Sequence, residues 1–157
     1  MKETQDIVME LEDEGFVAAG RTIPFPAQPS TTLVPLPQSL AELAKNGLVR
    51  TMTVYGRSLE EIGIFDGDKL VCKKAFHKKE VGPNTICVVY IPTTGEVVAK
   101  RVKFQENMLV LRSCHGEVPD MYVKPDDVEI RGVVIGLWRS PDNLGRFDRG
   151  YDEDIPY

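Results

Sequence analysis

At 157 residues, with 42% hydrophobic and 27% charged residues, the chain has room for one domain with a real core plus tails. No apolar run approaches the roughly 18 residues of a membrane span, and the acidic N-terminus lacks a signal-peptide core, so a cytoplasmic protein is expected. A net charge of −5 gives no broad basic field for duplex DNA, and three widely spaced cysteines, Cys72, Cys87 and Cys114, suit reduced thiols rather than a disulfide framework.

Residues 1–14 are polar, with a dense acidic stretch at Glu10, Glu12, Asp13 and Glu14. Gly15-Phe-Val-Ala-Ala-Gly20 is small and apolar. A segment carrying Pro24, Pro26, Pro29, Pro35 and Pro37 follows, which excludes regular helix and central strand. Residues 1–37 therefore read as an extended arm lying on a domain. Ser39-Leu-Ala-Glu42 has capping-box spacing, which predicts a helix over 39–46 ended by Asn46-Gly47.

From there the pattern turns to β. Leu48–Tyr55, Lys69–Lys74, Thr85–Ile91, Glu96–Phe104, Met108–Arg112 and Val128–Trp138 are rich in Val, Ile and Tyr. Turn signals such as Asp66-Gly67-Asp68, Gly82-Pro83-Asn84 and Thr93-Thr94-Gly95 separate them. The expectation is a mostly β fold, a small antiparallel domain over 38–139. The tail, 140–157, has few aliphatic residues and alternates Asp, Arg and Gly, so disorder is expected there.

The stretch Gly56-Arg-Ser58 follows a strand and precedes a turn, a place where a serine can be held with its own N–H unpaired. Acyl chemistry needs both groups, the hydroxyl to attack and the N–H to hold the oxyanion. Taken alone, the tripeptide fits an ordinary turn serine better, since Ser and Gly are common turn residues. In Gly95-Glu-Val-Val-Ala-Lys100-Arg-Val-Lys-Phe104, period-2 alternation puts Val98, Lys100 and Val102 on one face. A lysine among valines is costly as a cation, which favours a neutral amine able to act as a general base. A lysine snorkelling at a sheet edge is the competing reading.

Taken together, Gly56-Arg-Ser58-Leu with Ile64-Phe-Asp66-Gly-Asp68, then Glu96-Val-Val-Ala-Lys100-Arg, then Gly132-Val-Val-Ile-Gly-Leu-Trp138, closely resemble the LexA/UmuD-type self-cleaving serine proteases, peptidase family S24. The resemblance covers about residues 15 to 139. It implies the signal-peptidase-like β fold of that family, with Ser58 as nucleophile and Lys100 as base. It also implies a cut in Val17-Ala18-Ala19-Gly20 between Ala19 and Gly20, without cofactor or metal. By the same resemblance, cleavage answers DNA damage through a RecA–single-stranded DNA filament, and the domain is a homodimer with Val128–Trp138 in the interface. Leu59 stands where the family usually has Met, a swap of similar volume. The Ser–Lys interval is longer than usual, an excess assigned to the Phe76–Asn84 and Thr93-Thr94 loops.

Only 19 residues precede the expected cut, too few for a helix-turn-helix domain. This favours a UmuD-like accessory subunit of a translesion DNA polymerase, with a LexA-like repressor fragment as the alternative. A non-enzymatic β interaction module is the competing class, and a signal-peptidase-like enzyme is disfavoured for want of an anchor. Asp66-Gly67-Asp68 lacks the further ligands of a calcium loop and reads as a β-turn. Cys114-His115 has no second ligand pair at metal spacing, and only His77 remains elsewhere. Cys72 and Cys87 read as small core residues. The cluster Lys73, Lys74, Lys78 and Lys79 could touch nucleic acid but reads better as a solvated loop.

Overall fold

The computed structural model describes residues 6–19, 30–113 and 119–144. In chain order its elements are β1 (Ile7–Ala18), β2 (Ser30–Leu36), α1 (Gln38–Lys45), β3 (Val49–Tyr55), β4 (Lys69–Lys73), β5 (Ile86–Ile91), β6 (Glu96–Gln105), β7 (Met108–Arg112), β8 (Met121–Val123), β9 (Glu129–Trp138) and α2 (Pro141–Leu144). The fold is mostly β, as the turn-punctuated runs of β-branched residues predict. The nine strands form one sheet in the order β2-β1-β3-β4-β9-β5-β6-β7-β8. A further pairing of β1 with β6 joins distant parts of that order, so β1, β3, β4, β9, β5 and β6 run round in a closed ring. Strand β1 is parallel to both of its ring neighbours, whereas the other pairs are antiparallel.

The expected strands from β3 to β7, and β9, stand within a residue or so of their predicted limits. The N-terminal region differs. The residues read as an arm supply two strands of the sheet: β1 pairs along β2 from Ile7↔Leu36 to Asp13↔Ser30, and on its other side meets β3. Pro35 is tolerated because β2 is an edge strand, where a missing N–H costs no ladder bond. The capping box is a second correction. The helix begins at Gln38 with Pro37 as its N-cap and no side-chain cap, so Ser39 lies inside the first turn. The Pro37 carbonyl takes the N–H groups of Leu40 and Ala41, and Glu42 turns to Lys45 at 3.3 Å. With the first helical hydrogen bonds made to the Pro37 carbonyl, Ser39 falls inside the first turn, where it cannot act as the N-cap. The stop holds, with Gly47 at φ 73 after Asn46. Of the tail, 140–144 is described: its Pro141–Leu144 turn is tied to the domain by Asn143 Nδ2 on Asp68 Oδ1 at 2.6 Å. The remainder of 140–157 lies outside the described residues.

Three apolar clusters fill the interior. Val17, Ala19, Val54, Leu59 and Leu70 belong to one, and Ala18, Val89, Val98, Val102 and Leu109 to another. Leu11, Val34, Leu36, Val49 and Val71 make the third, beneath Leu40 and Leu43 of α1. Because side chains alternate along a strand, Val17 and Ala19 enter one core while Ala18 enters another. The end of β1 is thus buried on both faces.

Candidate active site

Ser58 follows directly from the end of β3. Gly56 has φ 119, a region that side chains avoid, and its N–H donates to Asp66 Oδ1 at 2.8 Å. The Asp66–Asp68 turn is laced to the same strand end: the Gly67 N–H donates to the Val54 carbonyl at 2.8 Å, and the Val54 N–H to the Asp68 carbonyl at 2.9 Å. Asp66-Gly67-Asp68 is thus a turn, as expected, and it braces the serine loop. Beyond it, Arg57 pairs with Glu60 at 2.9 Å and a turn of 3-10 helix over Glu60–Ile62 begins. Ser58 is 1% exposed and so held inside the fold.

The backbone of Ser58 points at the residue singled out as the cleavage site. Its N–H donates to the carbonyl oxygen of Ala19 at 3.1 Å. In turn the Ala19 N–H donates to the Tyr55 carbonyl at 2.8 Å, which clamps Ala19 from both sides of its peptide. Ala19 is fully buried, and only side chains this small let a backbone come so close. Phe16 stacks edge-on against Tyr55 with ring centroids 5.9 Å apart, one step upstream on the same strand pair. An N–H already donating to a carbonyl is where an oxyanion would be stabilised if that carbon were attacked.

Lys100 stands on β6, on the other side of the cleavage segment. Ala18 pairs with Tyr55 of β3 and also with Val98 of β6, two residues before the lysine. Val98 and Val102 share its face and are buried, and Lys100 itself is half-buried. It lines a cavity of about 510 Å³ together with Ala18, Ile91, Val98, Met121 and Val128. Its register partner on β5 is Cys87, whose thiol burial pushes from 9.0 up to about 12. Ser58 and Ala19 are joined by a hydrogen bond, and Lys100 and Ala18 share a cavity. Gly20 lies outside the described residues.

The other candidates fall away from this site. Cys72 is buried beside Leu70 and Val54, its thiol raised by burial to about 12, and both cysteines are core residues as expected. Among the described residues no cluster of His, Cys, Asp or Glu could hold a metal ion. Cys114-His115 lies outside them. The lysine cluster is not a bare solvated loop: Lys73 pairs with Glu80 at 2.6 Å, Lys74 with Glu14 at 2.8 Å, and Lys78 sits over the Phe104 ring. Among the described residues no helix is long and apolar enough to cross a membrane.

Sequence reasoning places Asp66 and Asp68 in a turn and in the motif, but does not disclose the bracing contacts that their carboxylates make. Asp68 is fully buried and takes Arg139 through Nε at 2.8 Å and Nη2 at 2.6 Å, besides the Phe65 N–H at 2.8 Å. Nothing local in the sequence joins residues 68 and 139.

Comparison with known proteins places the chain in a family. Residues 13–135 match the family model described as Peptidase S24-like. The LexA repressor of Pelagibacter ubique is 29% identical over 132 residues, 84% of this chain and 55% of the relative. That of Leuconostoc mesenteroides is 30% identical over 126 residues, 80% of this chain and 56% of the relative. The transcription regulator LexA of Synechocystis is 27% identical over 100 residues, 64% and 49% of the two chains. The chain spans about half the length of these relatives. With its matched region running from the bulged part of β1 into β9, through the serine loop and the lysine strand, the chain belongs to the peptidase S24-like family.

Proposed function

We propose that the chain is a self-cleaving serine endopeptidase that cuts its own Ala19–Gly20 bond, with Ser58 as nucleophile and Lys100 as base. The observation that carries this reading is the 3.1 Å hydrogen bond from the Ser58 N–H to the Ala19 carbonyl, a substrate-like contact made by the segment the motif marks for cutting. A neutral Lys100 amine takes the Ser58 hydroxyl proton while Oγ attacks the Ala19 carbonyl carbon. The Ser58 N–H supports the resulting oxyanion. Collapse breaks the bond to Gly20, whose nitrogen receives the proton from Lys100 and leaves as an amine. Water then hydrolyses the ester between Ala19 and Ser58. Tethering supplies the effective concentration, so no recognition pocket for other proteins is needed.

The resemblance to LexA-type proteins further supports a place in the SOS response to DNA damage, with a RecA–single-stranded DNA filament stimulating the cut and a homodimer as the working unit. The relatives are named as LexA repressors and transcription regulators, which favours a repressor-type peptidase domain. A UmuD-like translesion-polymerase accessory role, which uses the same cut, is the second reading.

The test is incubation of the purified protein with and without RecA, single-stranded DNA and a nucleotide, followed by mass spectrometry. A fragment beginning at Gly20 is expected, faster with the filament and absent from Ser58→Ala. A fragment with another N-terminus, or the same fragment from Ser58→Ala, overturns the assignment.

A further inference from the structure

Strand β1 does not run straight into the site. Asp13 pairs with Thr51 and Phe16 with Thr53, so β1 advances three residues while β3 advances two. This is a β-bulge, and Gly15 takes φ 108 within it. Beyond the bulge the register is regular: Val17 faces Val54, Ala18 faces Tyr55, and Ala19 reaches the Ser58 N–H. Without the extra residue every later position of β1 would move by one along β3. Ala18 would then stand where Ala19 stands, and the side chains of Val17, Ala18 and Ala19 would exchange cores.

One side chain holds the bulge. The Asp13 side chain is 4% exposed and accepts four hydrogen bonds. Oδ1 takes the Gly15 N–H at 2.9 Å, which fixes the glycine. Oδ2 takes the hydroxyls of Thr51 at 3.0 Å and Thr53 at 3.1 Å, and the Lys69 ammonium at 3.1 Å. Lys69 also donates to the Thr53 hydroxyl at 2.8 Å, which closes the network across β1, β3 and β4. The flanking acids reinforce it, Glu14 through Lys74 at 2.8 Å and Arg50 at 3.5 Å, and Glu12 through Arg50 at 3.6 Å. A carboxylate this buried is stable only in the register that brings all its donors together.

We propose that Asp13 is the positioning residue of the cleavage segment, holding the bulge that decides which carbonyl meets the Ser58 N–H. The role rests on the self-cleavage reading for its consequence, and on the register alone for its structure. Asp13→Ala releases the bulge, so self-cleavage falls at least about tenfold, while a released segment uncovers Ser58. Labelling of Ser58 by a fluorophosphonate, read by mass spectrometry, therefore rises as cutting falls. Lys69→Met, which leaves the threonine donors in place, gives the same pair of changes more weakly and serves if Asp13→Ala does not fold.

In a Ser58→Ala background, amide exchange at Val17 and Ala19 is expected to quicken at least about tenfold when Asp13→Ala is added. Cutting unchanged in both variants, labelling that falls together with cutting, or exchange that stays the same would overturn the proposal. Failure of the Ser58 reading looks different: the unsubstituted protein neither cuts nor takes the label, and the exchange measurement still decides the role of Asp13.

Discussion

Under the proposed mechanism Ser58 and Lys100 do different work, and pH separates them. Ser58→Ala and Lys100→Ala are each expected to abolish self-cleavage, read by mass spectrometry, with far-ultraviolet circular dichroism unchanged. In the unsubstituted protein the rate climbs roughly tenfold per pH unit until the amine is fully neutral, because only that form accepts the Ser58 proton. Lys100→Arg stays charged and is expected to be inert across the same range. A flat profile above pH 7, or a Lys100→Arg variant that still cuts, would refute the lysine base. The cysteines set the upper limit of that experiment. Burial raises Cys72 and Cys87 from 9.0 to about 12, so each favours the fold fully below pH 9. Above it the unfolded thiols ionise while the folded ones do not, and stability is lost progressively toward pH 12. Chemical denaturation at pH 8 and pH 10.5 is expected to show a lower midpoint at the higher pH. Ala19→Asp puts an unpaired carboxylate into a fully buried position, so the segment leaves the site and cutting drops at least about a hundredfold. Gly20→Glu is expected to block it as well, and unchanged cutting in either variant would move the bond elsewhere.

At the scale of elements, β1 shows what the sequence could and could not disclose. Strands β3, β5 and β7 are legible because their β-branched residues carry their own signal between clear turns. In β1, Glu10-Leu-Glu-Asp-Glu14 has neither alternation nor β propensity. It is a strand because Arg50, Lys69 and Lys74, far along the chain, meet its charges. Strand β2 hid behind its proline, which only an edge position permits, and β8, at three residues, is too short for a pattern. The Ser58 loop and the alanines were visible as motifs, whereas the Asp66 brace and the Asp13 network were not, since both join residues distant in sequence. The Asp68–Arg139 pair yields a prediction at this scale. Arg139 closes the end of β9 onto the turn behind the serine loop, also donating to the Gly63 carbonyl at 2.8 Å. Among the described residues, Arg139→Ala leaves the buried Asp68 carboxylate with the neutral donors Asn143 and the Phe65 N–H, at a cost of about 3 kcal/mol. A denaturation midpoint that does not move would show that the pair is neutral on balance.

For the whole molecule, the ring of strands is completed by the segment marked for cutting. Ala18 bridges β3 and β6, so the segment proposed as substrate is also a stave of the ring of strands. Cutting at Ala19–Gly20 severs the chain after β1 but breaks none of the ladder bonds that tie β1 to β2 and β3. The two pieces are therefore expected to elute as one species in native gel filtration and to part only in denaturant. Separation of the fragments under native conditions would show that β1 is held by the chain connection rather than by its pairing. Under the proposed mechanism the new carboxylate of Ala19 is left against the Ser58 N–H that had held its carbonyl. A spent molecule would then carry its product as a plug, and each copy would be good for a single event. On that reading the number of cuts a cell can obtain is fixed by the number of copies it has made, the economy of a fuse rather than of a scavenging protease.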